Sequence, residues 1–206
     1  VRIKKKTNPA VKNRYEPILY SEERKRFMKR CSWCNEKNPK YVDYHDHEWG
    51  KLQADDHYLF EMLILESFQA GLSWECVLNK RKAFIEAYNQ FDIEKVCLYD
   101  EEKIEELCHN PQLIRNRLKI KASIHNAKIF KDIVASYGSF YSYLKEFLSE
   151  TIIYEIGRTT SPVSDAISKD LQKRGMKFVG STIIYSYLQA IGIINSHEKD
   201  CFLYQK

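Results

Sequence analysis

The 206 residues are 44% hydrophobic and 30% charged, which describes a globular chain with room for one substantial core and excludes a string of independent domains. The formal net charge of +5 is uneven: residues 1–30 carry eleven Lys or Arg against three Glu, about +8, and the remaining 22 against 25 leave residues 31–206 at about −3. The six Cys lack the density of a secreted disulfide framework, and neither a signal-type apolar region nor a membrane-length apolar run is present, so the expectation is intracellular, cytoplasmic or nuclear, with an organelle left open.

Residues 1–30 read as a basic, flexible extension that either adds sequence-independent attraction to phosphate or is a plain solvated tail. Beyond it, only seven Gly and five Pro in the whole chain favour helices over a turn-rich β architecture. Asp55 to Ala70 reads as a helix without a polar face, because Leu59, Phe60, Met62, Leu63, Ile64, Leu65 and Phe68 surround its axis, and such a helix belongs in the core. Gly71 stops it, and Ser73 caps a second helix through Trp74, Val77, Leu78, Phe84 and Tyr88. Asp92 and Asp100 are N-caps for short helices over Ile93 to Leu98 and Glu101 to Leu107, after which Asn110-Pro111 breaks the chain. From about Asn116 to Tyr137, Ile120, Ile124, Ala127, Phe130 and Val134 recur at helical spacing and Gly138 closes the helix; another short helix follows from Phe140 to Phe147. Period-two alternation is nowhere sustained, so the expected class is all-α.

Near the end, Ser164 to Arg174 and Ser181 to Ile191 read as helices joined by Gly175-Met-Lys-Phe-Val-Gly180, a helix-hairpin-helix pattern. Gly180 lets a partner approach the backbone, and the free N–H groups at the start of the helix opened by Ser181 suit a phosphate. Lys173 and Lys177, with Lys169 and Arg174, place cations around that turn. An ordinary αα-hairpin explains the glycines as well; local positive charge on a slightly acidic body is what favours nucleic acid.

Two constellations could carry chemistry. Zinc takes thiolate and imidazole, commonly four ligands in a structural site, and Cys31, Cys34, His45, His47, His197 and Cys201 compete for those places; buried thiols and hydrogen-bonded histidines are the plain alternative. Secondly, Trp33, Tyr41, Tyr44, Trp49, Tyr58, Phe60, Phe68 and Trp74 fall around the acidic Glu66, and flat rings beside an acid suit a planar, polar ligand such as a nucleobase. Glu66 has apolar helical neighbours in Leu59, Met62, Leu63 and Ala70, so its carboxyl needs a partner. An internal ion pair would supply one equally well, and Glu61 on the same helix competes with it.

Taken together, Cys31-Ser-Trp33, Tyr41-Val-Asp-Tyr44-His45-Asp-His-Glu-Trp49-Gly50, Leu65-Glu66 with Gln69-Ala-Gly-Leu-Ser-Trp74, Ser164-Asp-Ala-Ile-Ser-Lys169, Lys173-Arg-Gly-Met-Lys-Phe-Val-Gly180 and His197-x3-Cys201 closely resemble the DNA-3-methyladenine glycosylase I family over about residues 30 to 203. His47 stands where that family has Asn.

The resemblance implies a helix-hairpin-helix DNA glycosylase-like fold. One structural zinc, held by Cys31, His45, His197 and Cys201, would join the N- and C-terminal segments, with Cys34 a bystander. It implies a glycosylase domain over 31–206, with a zinc lobe from 31–75 plus about 190–206 and a helix-hairpin-helix lobe from about 76–190. The implied activity is monofunctional excision of 3-methyladenine from alkylated double-stranded DNA in base-excision repair, by base flipping and hydrolysis, in a monomer. Glu66 falls on the base-recognising carboxylate, with Tyr41, Tyr44, Trp74 and Trp33 around the base. Lys173, Lys177, Gly180 and Ser181 are the expected DNA contacts. Glu198 and Asp200 sit inside the zinc loop and are poor general bases, and no Lys begins the second hairpin helix, so a Schiff-base step is not expected. The competing class is a non-catalytic, zinc-stabilised DNA-binding module.

Overall fold

The computed structural model describes residues 28–205, so all but the last three residues of the basic extension expected over 1–30 lie outside the described residues. Nine α-helices are present among them: α1 (Pro39–His47), α2 (Asp56–Gln69), α3 (Trp74–Ala87), α4 (Ile93–Cys97), α5 (Glu101–His109), α6 (Arg117–Tyr137), α7 (Phe140–Lys145), α8 (Pro162–Lys173) and α9 (Ser181–Ala190). None is long and apolar enough to cross a membrane.

The helix starts follow their caps. Asp55, Ser73, Asp92, Asp100 and Asn116 each accept a backbone N–H of the first turn of the helix they precede, satisfying donors that a helix leaves unpaired. Gly138 ends α6 in the left-handed conformation. One helix was not legible from apolar periodicity: α1, a polar stretch started by Asn38, whose side chain accepts from Lys40 N, with Pro39 in the first turn. Nor does the hairpin unit begin at Ser164; α8 starts at Pro162, because Ser161 and Ser164 form a reciprocal capping box.

The all-α expectation is corrected in one detail. Strands β1 (Ile153–Tyr154) and β2 (Ile194–Asn195) pair in parallel, Ile153 opposite Ile194 and Tyr154 opposite Asn195. Two-residue strands are too short to show alternation, and their effect is local: they dock the segment before α8 against the segment after α9.

The core is built around α2, where every residue from Leu59 to Phe68 is buried. It packs against α3, α6, α7 and α9, which is why it has no polar face; each fully buried apolar side chain there contributes roughly 1.5–3 kcal/mol. Beyond α1 the chain crosses the end of α9, with Gly50 N donating to Gln189 O at 3.0 Å and Gln53 N to Ile191 O at 2.9 Å. Only glycine fits at position 192 of that crossing, since its φ is +75° and a Cβ would stand 2.1 Å from the Lys51 carbonyl carbon. Phe202 N donates to Lys29 O at 2.9 Å, so both ends of the described chain meet on the same side of the molecule.

Candidate active site and metal cluster

Four side chains converge where those ends meet. The ligand atoms of Cys31, His45, His197 and Cys201 all lie within 4.8 Å of one another, and all four residues are buried. Three sulfur-to-nitrogen separations, Cys31 Sγ to His197 Nδ1, Cys201 Sγ to His45 Nε2 and Cys201 Sγ to His197 Nδ1, are each 3.5 Å. A tetrahedron with metal–sulfur bonds near 2.3 Å and metal–nitrogen bonds near 2.05 Å has such edges of about 3.5 Å.

The surroundings also fit a metal. His45 Nδ1 stands 2.8 Å from Asp46 Oδ1, and Asp46 receives Arg30 Nε at 2.8 Å and Nη2 at 2.7 Å. That carboxylate holds the proton on Nδ1 and leaves Nε2, which faces Cys31 N at 3.3 Å, unprotonated as the ligand atom. His197 Nε2 faces Trp49 O at 3.3 Å, which leaves Nδ1 for the cluster. Glu198 N donates to Cys31 Sγ and Leu203 N to Cys201 Sγ, both at 3.4 Å, contacts that favour thiolate. Burial pulls His197 down to about 4, the neutral form a metal takes, and pushes Cys31 up to about 12, so that thiol needs a bound cation to ionise. The competing ligands are elsewhere: Cys34 Sγ points to Tyr41 O at 3.8 Å, and His47 is exposed against Asp43.

Adjoining the cluster is a cavity of about 310 Å3, within the range of small-molecule sites. One wall is aromatic, made by Trp33, Tyr41, Tyr44, Trp49 and Trp74, with Glu66 and Gln69 from α2. The rest of the lining comes from Ile156, Gly157 and Arg158 after β1, Ser186 and Gln189 of α9, and Ser196 after β2. Trp33 links the two centres, its ring 5.2 Å from that of His45 and 5.4 Å from that of Tyr41, while Tyr44 and Trp74 stand 5.3 Å apart. A larger cleft of about 490 Å3 near His57, Gln90 and Lys131 contains no buried acid.

Glu61 and Glu66 differ sharply in their partners. Glu61 receives Arg81 Nε at 2.6 Å, and Arg81 Nη1 also holds Glu48 at 2.7 and 2.9 Å; it is the internal ion pair. Glu66 is 2% exposed and its Oε2 has no hydrogen-bond partner among the described residues. Burial alone raises its pKa well above the ordinary carboxylate value, because desolvation disfavours the charged form. Gln69 Oε1 and Trp74 Nε1 are likewise buried and unpartnered. An acceptor, a donor and an acid thus face one aromatic cavity without satisfying each other.

Tyr41, Tyr44, Trp74 and Trp33 all line this cavity, as does Glu66. Trp49, one of the aromatics expected around Glu66, lines the cavity too; Gln69 was within the sequence motifs but not among the expected site residues, although it lies about one helical turn beyond Glu66, the spacing that could have placed it on the same face. Glu198 reaches the cavity rim, but its two oxygens accept Ser32 N at 2.7 Å and Ser32 Oγ at 2.6 Å, and Asp200 pairs with Lys29.

The four hairpin residues lie away from the cavity lining, around the α8–α9 turn. Lys173 and Lys177 are exposed, and Gly180 is the N-cap of α9 with no side-chain cap over that helix start. Gly180 has an ordinary φ of −63°, and a Cβ there would meet nothing within 4 Å. Ser181 is less free than expected, its hydroxyl donating to Asp165 and lying 2.9 Å from Ser164 Oγ.

The methyladenine glycosylase family model matches residues 33–204. DNA-3-methyladenine glycosylase 1 of Escherichia coli (strain K12) is 42% identical over 184 residues, covering 86% of this chain and 97% of the relative. A crystal structure of 3-methyladenine DNA glycosylase I superposes with a TM-score of 0.82 at 40% identity, covering 86% of this chain and all of the other. The structure described as the basis of 3-methyladenine recognition by 3-methyladenine DNA glycosylase I from Staphylococcus aureus gives 0.81 at 34% identity, over 87% of this chain and 98% of that one.

Proposed function

This chain belongs to the methyladenine glycosylase family, and we propose that the Glu66 cavity is where it takes up 3-methyladenine from alkylated DNA and releases it by hydrolysis of the N-glycosyl bond. The observation that carries the assignment is the set of buried, unpartnered groups, Glu66 Oε2, Gln69 Oε1 and Trp74 Nε1, inside an aromatic cavity.

Chemistry explains the selectivity. Alkylation at N3 makes the base in the nucleotide cationic, which improves stacking on Tyr44, Trp74 and Trp33 and makes it a good leaving group without protonation. Ionised Glu66 would be unfavourable in so buried a position unless a cation arrives. The lesion supplies that cation: Glu66 loses its proton to solvent and accepts N–H bonds from the base, whereas neutral adenine offers no such compensation. A water attacks C1′ while the C1′–N bond breaks. The bonding pair leaves with the base, which departs neutral, and the water's proton passes to solvent.

Flipping the nucleotide costs a few kcal/mol and is cheapest at a lesion. The grip on the duplex is assigned to the hairpin, through Lys173 and Lys177, the Gly180 backbone and the first N–H groups of the helix begun by Ser181. Residues 31–75 with about 190–206 would form the metal-side lobe and about 76–190 the hairpin lobe, with residues 1–30 as a basic extension, in a monomer working in the compartment that holds the DNA.

The cluster is assigned to one zinc, held by Cys31, His45, His197 and Cys201. Four protein ligands fill a tetrahedral shell, so the ion supplies folding energy and positioning rather than a reaction step. It would fix Trp33 and the α1 aromatics, Tyr41 and Tyr44, against the C-terminal segment.

A DNA-binding module without chemistry accounts for the cluster and the hairpin but leaves the orphaned Glu66 Oε2, Gln69 Oε1 and Trp74 Nε1 of the cavity unexplained. Incubation with methylated duplex and identification of the released base by mass tests the assignment; only an enzyme liberates free 3-methyladenine.

A further inference from the structure

Lys119, near the start of α6, is buried, and its ammonium has no carboxylate partner among the described residues. It donates instead to two backbone carbonyls, Phe68 O at 2.9 Å and Ala70 O at 2.5 Å. Those carbonyls close the C-terminal end of α2, whose C-cap Ala70 leaves the helix with ψ of 114° and no capping side chain of its own. The last carbonyls of a helix lack intrahelical donors and carry partial negative charge, so a buried cation satisfies them and is itself held there. Burial lowers the Lys119 pKa.

The position matters because Gln69 lies between the two anchored carbonyls, Glu66 is one turn earlier and Trp74 opens the next helix. Lys119 also reaches the hairpin, with Nζ 5.8 Å from the Phe178 ring centre. Phe178 has φ +57°, a left-handed value unusual for an aromatic residue, at the hairpin tip. Further along α6, Asn126 holds the same hairpin by donating to Lys177 O and accepting from Lys177 N, both at 2.9 Å. One helix therefore carries the hairpin and the cavity wall together, and Lys119 is the side chain that touches both.

We propose that Lys119 is a positioning residue for base excision, fixing the Gln69-to-Trp74 wall relative to the hairpin tip so that a duplex gripped by the hairpin delivers its base into a preset cavity. The inference rests on the glycosylase assignment above. Misplacing a reacting group by about 1 Å can cost about a hundredfold in rate, so a wall-setting contact remote from the chemistry should register in the rate.

The test compares the protein with Lys119→Met, which keeps the stem and removes the ammonium. Three readouts are needed: single-turnover release of 3-methyladenine from methylated duplex, affinity for free 3-methyladenine, and affinity for undamaged duplex. The expected split is a fall of about tenfold in rate and about fivefold in base affinity, with undamaged-duplex affinity within about twofold. Lys119→Arg, which keeps a cation and donors in a wider head, should recover part of the rate. Duplex affinity falling as far as the rate would make Lys119 a DNA contact and overturn the proposal; so would an unchanged rate in a folded variant. If Lys119→Met does not fold, Lys119→Arg must still show about a threefold loss of rate with duplex affinity held, and equal rates overturn the proposal. Failure of the unsubstituted protein to release 3-methyladenine would strike the glycosylase assignment itself, an outcome distinct from normal release by every Lys119 variant.

Discussion

Glu61 and Glu66 sit on the same buried helix, yet Arg81 reaches only Glu61, at 2.6 Å, and Glu66 faces the aromatic cavity with an unpartnered oxygen. Equal residue types on one element thus separate into an acid with an ion-pair partner and an acid without one, and the difference predicts opposite responses to mutation.

Removing Arg81 should damage the fold rather than recognition. Arg81→Met leaves Glu61 and Glu48 without their cation in a mostly buried network, where breaking a pair costs about 3 kcal/mol. Urea unfolding should show that loss, while the affinity of the folded fraction for free 3-methyladenine changes little. A variant as stable as the unsubstituted protein would contradict the network's role.

Glu66→Gln should behave in the opposite sense. The Glu66 pKa is raised in the folded protein by burial above its ordinary 4.5. Its contribution to stability is therefore fully present below pH 4.5 and is lost as pH rises through the folded pKa. Glu66→Gln has no such loss, so it should equal or exceed the unsubstituted protein near neutral pH, with the gap closing as pH falls. Denaturant titrations over that range would show it, and a Gln variant that weakens only at neutral pH would mean a satisfied carboxylate instead.

For the metal cluster, the donor set predicts about one zinc per chain. Cys31→Ala or His197→Ala should abolish it, and Cys34→Ala should leave it intact because Cys34 Sγ lies on Tyr41 O. Chelation should lower the melting temperature together with metal content; metal retained by the Cys31 variant would require another ligand set.

At the hairpin, Gly180→Ala separates folding from binding. The added methyl meets nothing within 4 Å and φ is ordinary, so stability should change by less than about 1 kcal/mol, while duplex affinity falls because the backbone can no longer be approached as closely. Lys177→Ala should weaken duplexes of any sequence and reduce the salt slope by about one. Unaltered duplex affinity in both variants would remove the hairpin from the DNA surface.

Much of this was legible in the chain. Caps at Asp55, Ser73, Asp92, Asp100 and Asn116 act within one turn, so local sequence determines them; the residue types alone left six Cys and His candidates for the cluster, and the family resemblance singled out the four that converge. Helix α1 escaped because its polar residues show no apolar stripe; it is fixed by Asn38 and Pro39 and buried through Tyr41, Tyr44 and His45. Strands β1 and β2 are two residues each and meet only through tertiary packing, so the Ile156-to-Arg158 wall they position could not be foreseen. That Arg81 would choose Glu61 over Glu66 likewise depends on how α2 and α3 face each other, which spacing along one helix does not reveal.

The central claim is that Glu66 recognises the alkylated base, and it is tested by release of 3-methyladenine from methylated duplex by Glu66→Gln under single-turnover conditions, with zinc content and duplex affinity measured on the same sample. The expected result is a loss of about a hundredfold or more in release with metal and duplex binding unchanged. Release at the unsubstituted rate would contradict it.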